Sequence, residues 1–419
     1  MKLIIHKCLP GIVFLLLIML ACNKKSDNDP DNNNPDFLFK ATFTDDWLSP
    51  HSGDAIIFIS DNDGNILSEH TWAGNESFEM VPIDETAEFP ENINITTVFY
   101  KPTTNRFYLT TNLGIAVGSD WIFRGTKAPD LTNMNTVQFN FQNIPDHKAY
   151  AISTKSVSRI SSGSMAQPFS FSFPESPSDI YLKLNTVDFG VRYSWFNGVV
   201  EGVRYDNLSA MKETSSHVVN LPGESSGITM NLYGFPNPGR RYDGAFRIDV
   251  LNDYENIYKS ITLNYPEGDF SDYRTNISYY DDYTGSTYWV ENTFGSFPGN
   301  FIKINADFDI ENTSINNFEI SATGGYIETK TIWVDEKTNN WVVYGPKETS
   351  RYKLPILSNY ISQLFDLNRF DFKLLNVEII DYPELETYND IMQILFNSTD
   401  NFFDVVNKSR SRVKIPSDS

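Results

Sequence analysis

Residues 55–70 read Ala-Ile-Ile-Phe-Ile-Ser-Asp-Asn-Asp-Gly-Asn-Ile-Leu-Ser-Glu-His, and they carry the clearest local signal in the chain. Ala55–Ser60 is an apolar run of strand length, rich in the β-branched and aromatic residues that favour strands. Asp61–Asn65 consists of residue types that tolerate the positive φ angles of tight turns. Because Ile66–His70 leads away from this turn, the sequence predicts a β-hairpin here.

Similar short stretches follow along most of the chain, separated by glycine, proline, asparagine and serine at intervals typical of β-sandwiches. No rhythm of strands alternating with long helices appears, which argues against nucleotide-binding α/β folds. We therefore expect a mainly β fold of tandem antiparallel β-sandwich (Ig-like) units with a small α+β C-terminal segment. The further predicted strands are Asn94–Tyr100, Arg106–Asn112, Val137–Phe141, Ala149–Thr154, Phe169–Phe173, Ile180–Leu184, Ile228–Leu232, Ala245–Val250, Ile257–Leu263, Phe301–Ala306, Phe318–Ala322, Tyr326–Val334 and Trp341–Tyr344.

Two segments near the C-terminus predict helices. In Leu357–Leu367 the apolar residues recur along one face with the helical period of about 3.6 residues. Tyr388–Phe396 follows Thr387, a good N-cap, and Asp390 stands at the spacing of a capping box. Between the two helices, Phe372–Ile380 alternates like a strand, so these elements form the predicted α+β segment.

The charge balance argues against nucleic acid as the main partner. The chain has 419 residues, with 33 Lys and Arg against 54 Asp and Glu and a formal net charge of −21. Binding to phosphate backbones needs a basic face, which this composition does not supply. The densest basic stretch contains Lys408, Arg410, Arg412 and Lys414, and we expect it to be a solvated tail.

The first 22 residues have the layout of an export signal. Lys2 and Lys7 precede an apolar run from Gly11 to Ala21, which is too short to span a bilayer and has the length of a signal-peptide core. The sequence Ile18-Met19-Leu20-Ala21-Cys22 resembles the lipobox of bacterial lipoprotein signal peptides. This resemblance implies cleavage before Cys22, thioether lipidation of that cysteine and anchoring to a membrane by several acyl chains. An ordinary secretory signal with a chance cysteine is the alternative.

Cleavage at that point changes the composition of the mature chain. The net charge becomes −23, and Cys22 is the one cysteine left, so we expect no disulfide, thiolate metal site or cysteine nucleophile. Residues 23–36 contain no apolar side chain but two prolines and four aspartates, which predicts a flexible tether.

The segment Ser26-Asp27-Asn28-Asp29 resembles the acid-rich surface-export signal of lipoproteins in Bacteroidota-type bacteria. A periplasm-facing spacer of the same composition is the alternative. Signal peptide, lipobox and tether together resemble those of surface-exposed lipoproteins of such bacteria, which implies an outer-membrane protein that faces the cell exterior. No catalytic residues follow from this resemblance, because it is specific only in this N-terminal part.

Composition shifts and turn-rich junctions suggest five segments. They are a signal peptide at 1–21, the lipidated cysteine and acidic tether at 22–36, an N-terminal Ig-like β-sandwich at 37–144, a second small β domain at 145–222, and a larger β domain with C-terminal helices at 223–419.

The best enzyme-like pattern is Gly223-Glu224-Ser225-Ser226-Gly227, which matches G-x-S-x-G. A nucleophile elbow requires a strand before the motif and a helix after it. Here Pro222 precedes the motif and a strand-like segment follows, so we expect a loop of glycine and serine. Because the chain is so acidic, no pair of catalytic carboxylates can be selected from the sequence.

Metal-binding patterns are weak. The histidines that remain after cleavage are His51, His70, His147 and His217, and their spacing is not that of metal ligands. Asp61 and Asp63 could offer oxygens to calcium, but the glycine directly after Asp63 departs from the EF-hand pattern. A plain hairpin turn is therefore the preferred interpretation, and we expect no metal or other cofactor.

Residues 279–289 read Tyr-Tyr-Asp-Asp-Tyr-Thr-Gly-Ser-Thr-Tyr-Trp and place five aromatic rings around a glycine turn. Aromatic rings stack on the apolar faces of sugars, and carboxylates accept hydrogen bonds from sugar hydroxyls. The candidate ligand-binding residues are therefore Tyr279, Asp281, Tyr283, Tyr288 and Trp289. The alternative is cross-strand packing, which tyrosine and tryptophan favour.

These observations favour a non-enzymatic, lipid-anchored surface protein that binds a glycan, a peptide or a partner protein. A secreted hydrolase acting on polysaccharide is one alternative, with its carboxylates brought together by the fold. A structural or adhesive subunit, with open strand edges that make protein contacts, is another.

Overall fold

The computed structural model describes residues 36–44, 55–72, 74–84, 86, 88–101, 105–124, 133–237, 244–253, 255–293, 297–398 and 402–416. The predicted signal peptide and Cys22 lie outside these residues, as does the tether except for Asp36. Phe37–Ser419 forms one compact unit.

Within the described ranges the chain forms 27 strands and three short α-helices. In chain order the strands are β1 (Phe39–Phe43), β2 (Ala55–Ser60), β3 (Ile66–Trp72), β4 (Glu76–Met80), β5 (Asn92–Lys101), β6 (Arg106–Ala116), β7 (Ser119–Phe123), β8 (Asn135–Gln142), β9 (His147–Ser153), β10 (Ser158–Ser161), β11 (Phe169–Phe173), β12 (Ser178–Thr186), β13 (Val191–Val199), β14 (Gly202–Asn207), β15 (Lys212–Glu213), β16 (Ser215–Phe235), β17 (Phe246–Asp253), β18 (Tyr258–Tyr265), β19 (Asp272–Asp281), β20 (Ser286–Thr293), β21 (Ala306–Ser314), β22 (Asn317–Gly324), β23 (Glu328–Val334), β24 (Asn340–Pro346), β25 (Arg351–Tyr352), β26 (Lys373–Asp381) and β27 (Lys408–Lys414). The helices are α1 (Asn359–Phe365), α2 (Tyr388–Phe396) and α3 (Phe402–Val405).

Thirteen of these strands form one large sheet in the order β17-β16-β19-β20-β27-β26-β23-β24-β6-β5-β2-β3, with β18 also paired to β16. All pairings in it are antiparallel except that of β6 with β24. Strand β2 buries all six of its residues, because both faces of the sheet are covered here. Ile56 and Phe58 enter one core, whereas Ile57 and Ile59 enter the other. The predicted hairpin at 55–70 is confirmed as β2 and β3.

Each face of the large sheet has its own covering layer. The small sheet β4-β1-β7 and helix α2 cover one face, where Phe39, Phe43 and Ile391 share a core with Ile57. The small sheet β21-β22-β25 and helix α1 pack against the other face. The described helices are short, and none of them is long and apolar enough to cross a membrane.

Strands β8–β15 form a separate β-sandwich. One of its sheets has the order β11-β8-β14 and the other the order β10-β9-β12-β13-β15. Phe139, Phe171 and Leu182 belong to the core between these sheets, and this core does not merge with the two cores of the large sheet. The expected mainly β, sandwich-containing fold is therefore confirmed.

The sandwich packs against the large sheet through one face of β12 and β13. Tyr181 and Trp195 lie edge to face, with ring centroids 5.2 Å apart, and Trp195 also contacts Phe246 of β17 at 5.0 Å. Beside these rings, Lys183 of β12 forms a buried ion pair with Asp249 of β17. The aromatic contacts and the buried ion pair beside them together fix the sandwich to the large sheet.

The structure differs from the predicted segments in several places. The sandwich begins with β8, inside the segment predicted as 37–144, and β16 runs through the boundary predicted at 222/223. The large sheet combines strands from the first and the last predicted β domains, because β6 pairs with β24.

Two individual elements were predicted wrongly. Phe301–Ala306 is not a strand, although Phe301 and Ile304 are buried in the core. The basic stretch predicted as a solvated tail is β27, which lies inside the large sheet between β20 and β26.

Candidate functional site

The aromatic stretch at 279–289 forms the β19–β20 hairpin. Tyr279 stands opposite Tyr288, and their rings stack with centroids 5.4 Å apart. Both side chains are buried, and Tyr279 also meets Phe301 edge to face at 5.0 Å. Burial raises the pKa of Tyr279 above its usual range. These two rings belong to the core, so neither offers a free face to a sugar.

The other predicted binding residues of this hairpin point in different directions. The Oδ1 atom of Asp281 accepts hydrogen bonds from the backbone N–H groups of Tyr283 (3.0 Å) and Thr284 (3.3 Å), so this carboxylate closes the turn. Tyr283 is 97% exposed at the tip. Trp289 is half-buried and alternates with Tyr288, so the two rings lie on opposite faces of β20. The structure does not bring the five residues together on one surface.

A better-formed cavity lies between helix α2 and the ends of β6 and β7. It has a volume of about 380 Å³, and we call it the α2 cleft. Its floor contains the buried side chains of Trp121, Tyr388 and Met392. Trp121 stacks on Phe396 of α2, with the ring centroids 3.9 Å apart and the planes 2° from parallel. This contact fixes both the floor and the helix that borders it.

The rim of the α2 cleft is polar. Asn389, Gln393 and Asn397 follow one another at intervals of four residues, so they lie along one face of α2 and its C-cap. Lysine and arginine are missing from the described lining of the cleft. The other polar residues that line it are Asn92, Ser119, Asp120, Glu348 and Thr387.

A capping box sets the start of α2, as the sequence predicts. The Thr387 hydroxyl accepts a hydrogen bond from the backbone N–H of Asp390 (3.2 Å), and the Asp390 carboxylate accepts one from the backbone N–H of Thr387 (2.8 Å). The Thr387 hydroxyl also donates to the Asp390 carboxylate at 2.9 Å, and this bond, followed by the one from the Thr387 backbone N–H, holds the pKa of Asp390 below its usual range. Because the capping box fixes the first turn of α2, it also fixes the direction in which the amide row, Asn389, Gln393 and Asn397, projects from the helix.

Under the floor of the cleft lies a group of buried ionisable side chains. Glu328 is 3% exposed, and its Oε2 atom accepts a hydrogen bond from the Tyr382 hydroxyl at 3.1 Å. Burial raises the pKa of Glu328 from 4.5 to about 8. The Tyr388 hydroxyl is buried without a hydrogen-bond partner among the described residues. Burial, and then the nearby Glu328 carboxylate, raise the pKa of Tyr388 well above its usual range.

The predicted calcium residues are engaged in a turn. Both carboxylate oxygens of Asp61 accept hydrogen bonds from Asn65, one from its backbone N–H (2.8 Å) and one from its side-chain amide (2.9 Å). Asp63 forms an ion pair with Lys353 at 2.6 Å, which lowers the pKa of Asp63. Asp335 and Asn339 repeat the same turn between β23 and β24, at 2.8 and 2.7 Å. The geometry is that of a hairpin turn.

The G-x-S-x-G motif lies within strand β16. Gly223 and Gly227 have positive φ angles, and the strand pairing shifts register around them. Ser225 is buried, and the strand continues to Phe235 instead of turning into a helix. The motif therefore marks an irregular strand. It is neither the predicted loop nor a nucleophile elbow.

The described histidines each contact a separate part of the fold. His70 lies 3.4 Å from Glu76, His147 accepts a hydrogen bond from the backbone N–H of Met165 at 2.9 Å, and His217 lies 3.1 Å from the carbonyl oxygen of Pro298. His51 is outside the described residues. No group of three or more His, Cys, Asp or Glu side chains in the described part of the chain could hold a metal ion.

Comparisons with known proteins add no family. No protein-family model matches the chain, and no curated protein matches it. One similar solved structure is the "tetra-tandem repeat in extending region of large adhesion protein", with 10% identity and a TM-score of 0.13 over 82% of this chain and 94% of that one. Another is the Bacillus anthracis TIE protein, with 10% identity and a TM-score of 0.12 over 73% of this chain and 62% of that one. These TM-scores are too low to support an argument about fold or function. By its fold, this chain is a mainly β protein with a large mixed sheet and an attached sandwich.

Proposed function

We propose that this chain is a lipid-anchored protein of the outer-membrane surface that binds a glycan, without catalysis, in the α2 cleft. The anchor rests on the resemblance of Ile18–Cys22 to a lipobox. The binding site rests on the composition and geometry of the cleft.

The amide row of α2 over an apolar floor is the observation that carries the proposal. Side-chain amides both donate and accept hydrogen bonds, as sugar hydroxyls do, so Asn389 and Gln393 match a hydroxyl-rich ligand. Met392 and the rings of Trp121 and Tyr388 provide an apolar surface beneath them. The lining residues that the structure describes include Glu348 but no lysine or arginine, which favours a neutral glycan over an acidic one.

The cleft favours binding over hydrolysis. A glycosidase needs two carboxyl groups that face each other across the ligand, one of which serves as a proton donor. Glu328 has the raised pKa of such a donor, but it does not line the cleft. Asp120 lines the cleft and is held in an ion pair with Lys40 at 3.2 Å.

A glycan array tests the proposal. The full-length chain is expressed with its own leader, purified in detergent and applied to the array beside the double variant Asn389→Ala/Gln393→Ala. Both side chains are exposed on α2, so the variant should fold. Loss of two hydrogen bonds should weaken the glycan signal about tenfold or more.

Tyr283→Ala is the matched control, because this fully exposed ring belongs to the predicted aromatic site and not to the cleft. It should bind like the unchanged chain. The proposal is contradicted if no glycan on the array binds, or if the double variant binds glycan as tightly as the unchanged chain does. If the chain binds a peptide or a partner protein in parallel assays but binds no glycan, that class of ligand is favoured instead.

A further inference from the structure

A second cavity, separate from the α2 cleft, lies beside the β19–β20 hairpin. Its volume is about 340 Å³. We call it the Lys303–Arg412 cavity, and Tyr288, Asn305, Asp307 and Thr323 also line it. Through Tyr288, the predicted aromatic hairpin forms part of its wall.

Arg412 is held rigidly in the wall of this cavity. The residue is 4% exposed, although it belongs to the basic stretch of β27. Its Nε atom donates to the Ser286 hydroxyl at 3.0 Å, and its Nη1 atom donates to the Ala306 carbonyl at 3.3 Å and to the Asp307 carboxylate. The guanidinium also lies over the Tyr288 ring, 5.4 Å from its centroid. A buried arginine fixed by three oxygen acceptors and a ring is a preorganised donor.

Two donors remain available on the cavity. The Lys303 ammonium lies 5.0 Å from the centroid of the Tyr288 ring, on an exposed residue, and has no carboxylate partner within the described ranges. The Nη2 amino group of Arg412 has no hydrogen-bond acceptor among the described residues.

We propose that the Lys303–Arg412 cavity binds an oxyanion, a carboxylate or a phosphate group, on a hydrophilic ligand. The Nη2 group of Arg412 would donate to one oxygen of the anion and the Lys303 ammonium to another, while the Asn305 amide and the Thr323 hydroxyl provide further polar contacts. The Asp307 carboxylate opposes such a ligand by repulsion and competes with it for Arg412. The proposal does not rest on the α2 cleft, and its failure would leave the glycan proposal unaffected.

Calorimetric titrations of the full-length chain in detergent test this site. The probes are glucuronate, inorganic phosphate and, as a neutral comparison, glucose. Lys303→Ala should weaken binding of the anionic probe about tenfold, because it removes one charge-assisted contact from an exposed position. Asp307→Asn should strengthen binding, because it removes the competing charge. Lys337→Ala, which removes an exposed lysine elsewhere, should leave binding unchanged.

The two anionic probes distinguish the sources of the oxyanion. Tighter binding of glucuronate assigns the cavity to sugar acids, and tighter binding of phosphate assigns it to phosphorylated ligands. Failure of both anions to bind more tightly than glucose would overturn the proposal. The proposal would also be overturned if Lys303→Ala and Lys337→Ala lost equal affinity for the anionic probe, or if Asp307→Asn bound that probe more weakly than the unchanged chain.

Discussion

Glu328 is a carboxyl group that the fold buries almost completely on β23, where it accepts a hydrogen bond from the Tyr382 hydroxyl. Burial penalises the charged form and raises the pKa of Glu328 in the folded chain from its ordinary value of 4.5 to about 8. Between these two values the folded chain keeps a proton that the unfolded chain has lost. The contribution of Glu328 to the free energy of unfolding therefore decreases as the pH rises from about 4.5 through 8.

Replacement of Glu328 by glutamine should remove this pH dependence. The amide is neutral at every pH and can still accept the Tyr382 hydrogen bond. Glu328→Gln should therefore gain stability relative to the unchanged chain as the pH rises, by up to about 5 kcal/mol above pH 8. Urea unfolding at pH 5, 7 and 9 measures the difference. Glu91→Gln, at an exposed position, is the control and should change little. If the free energy of unfolding changes with pH by the same amount in the Glu328 variant and in the unchanged chain, this account is wrong.

Individual residues also show what the alternation of side chains along a strand cannot predict. Tyr279 and Asp281 satisfy the alternation expected of a binding strand, but alternation does not say which face of a strand meets the core. In the structure that face of Tyr279 is closed by Phe301, which is distant in the sequence. The amide spacing Asn389, Gln393 and Asn397 was a usable signal, because a helix from Tyr388 to Phe396 was already predicted.

At the scale of elements, a buried ion pair joins β12 to β17 beside the aromatic contacts of the sandwich. Lys183→Met would leave the Asp249 carboxylate buried without its cation, and we expect a loss of about 3–5 kcal/mol in the free energy of unfolding. The double variant Lys183→Met/Asp249→Asn removes both charges and should recover much of this loss. Its amide oxygen can still accept the hydrogen bond that Asp249 receives from the Asn264 backbone N–H at 3.0 Å. Denaturant titrations of the three proteins test this, and a double variant less stable than the single one would contradict it.

Some elements could be predicted from sequence alone because their signals are local. Helix α2 has its boundaries and capping box as predicted, since both depend on residues within one turn. Strand β27 was predicted wrongly because its residues, Lys408–Lys414, are mostly basic and polar. It lies in the sheet because β20 and β26 pair with its backbone, and because Asp307 and Asp309 of β21 neutralise Arg412 and Lys414. None of these partners is close in the sequence.

The whole molecule is organised by pairings over long distances. Strands β6 and β24 are neighbours, with Tyr108 opposite Asn340, so segments predicted as separate domains share one sheet. Turn composition predicts where the chain bends but not which strands then meet. This is why the mainly β class and the sandwich were predictable, whereas the domain boundaries were not.

The proposed anchor makes a prediction for the molecule as a whole. Cys22→Ser should abolish metabolic labelling with radioactive palmitate and release the chain from the membrane fraction, because the thioether cannot form. The described core does not include this position, so the variant should keep the far-ultraviolet circular dichroism of the unchanged protein. Persistent labelling of Cys22→Ser would show that lipid is attached elsewhere or that the lipobox resemblance is accidental.

Hydrogen–deuterium exchange with and without the tightest glycan from the array is the most direct test of the central claim. If the glycan binds in the α2 cleft, added ligand should slow exchange in peptides that cover α2 and β7, because these elements line the cavity. Exchange in the β19–β20 hairpin should not change. Protection of that hairpin without protection of α2, or no protection anywhere at saturating glycan, would contradict the account.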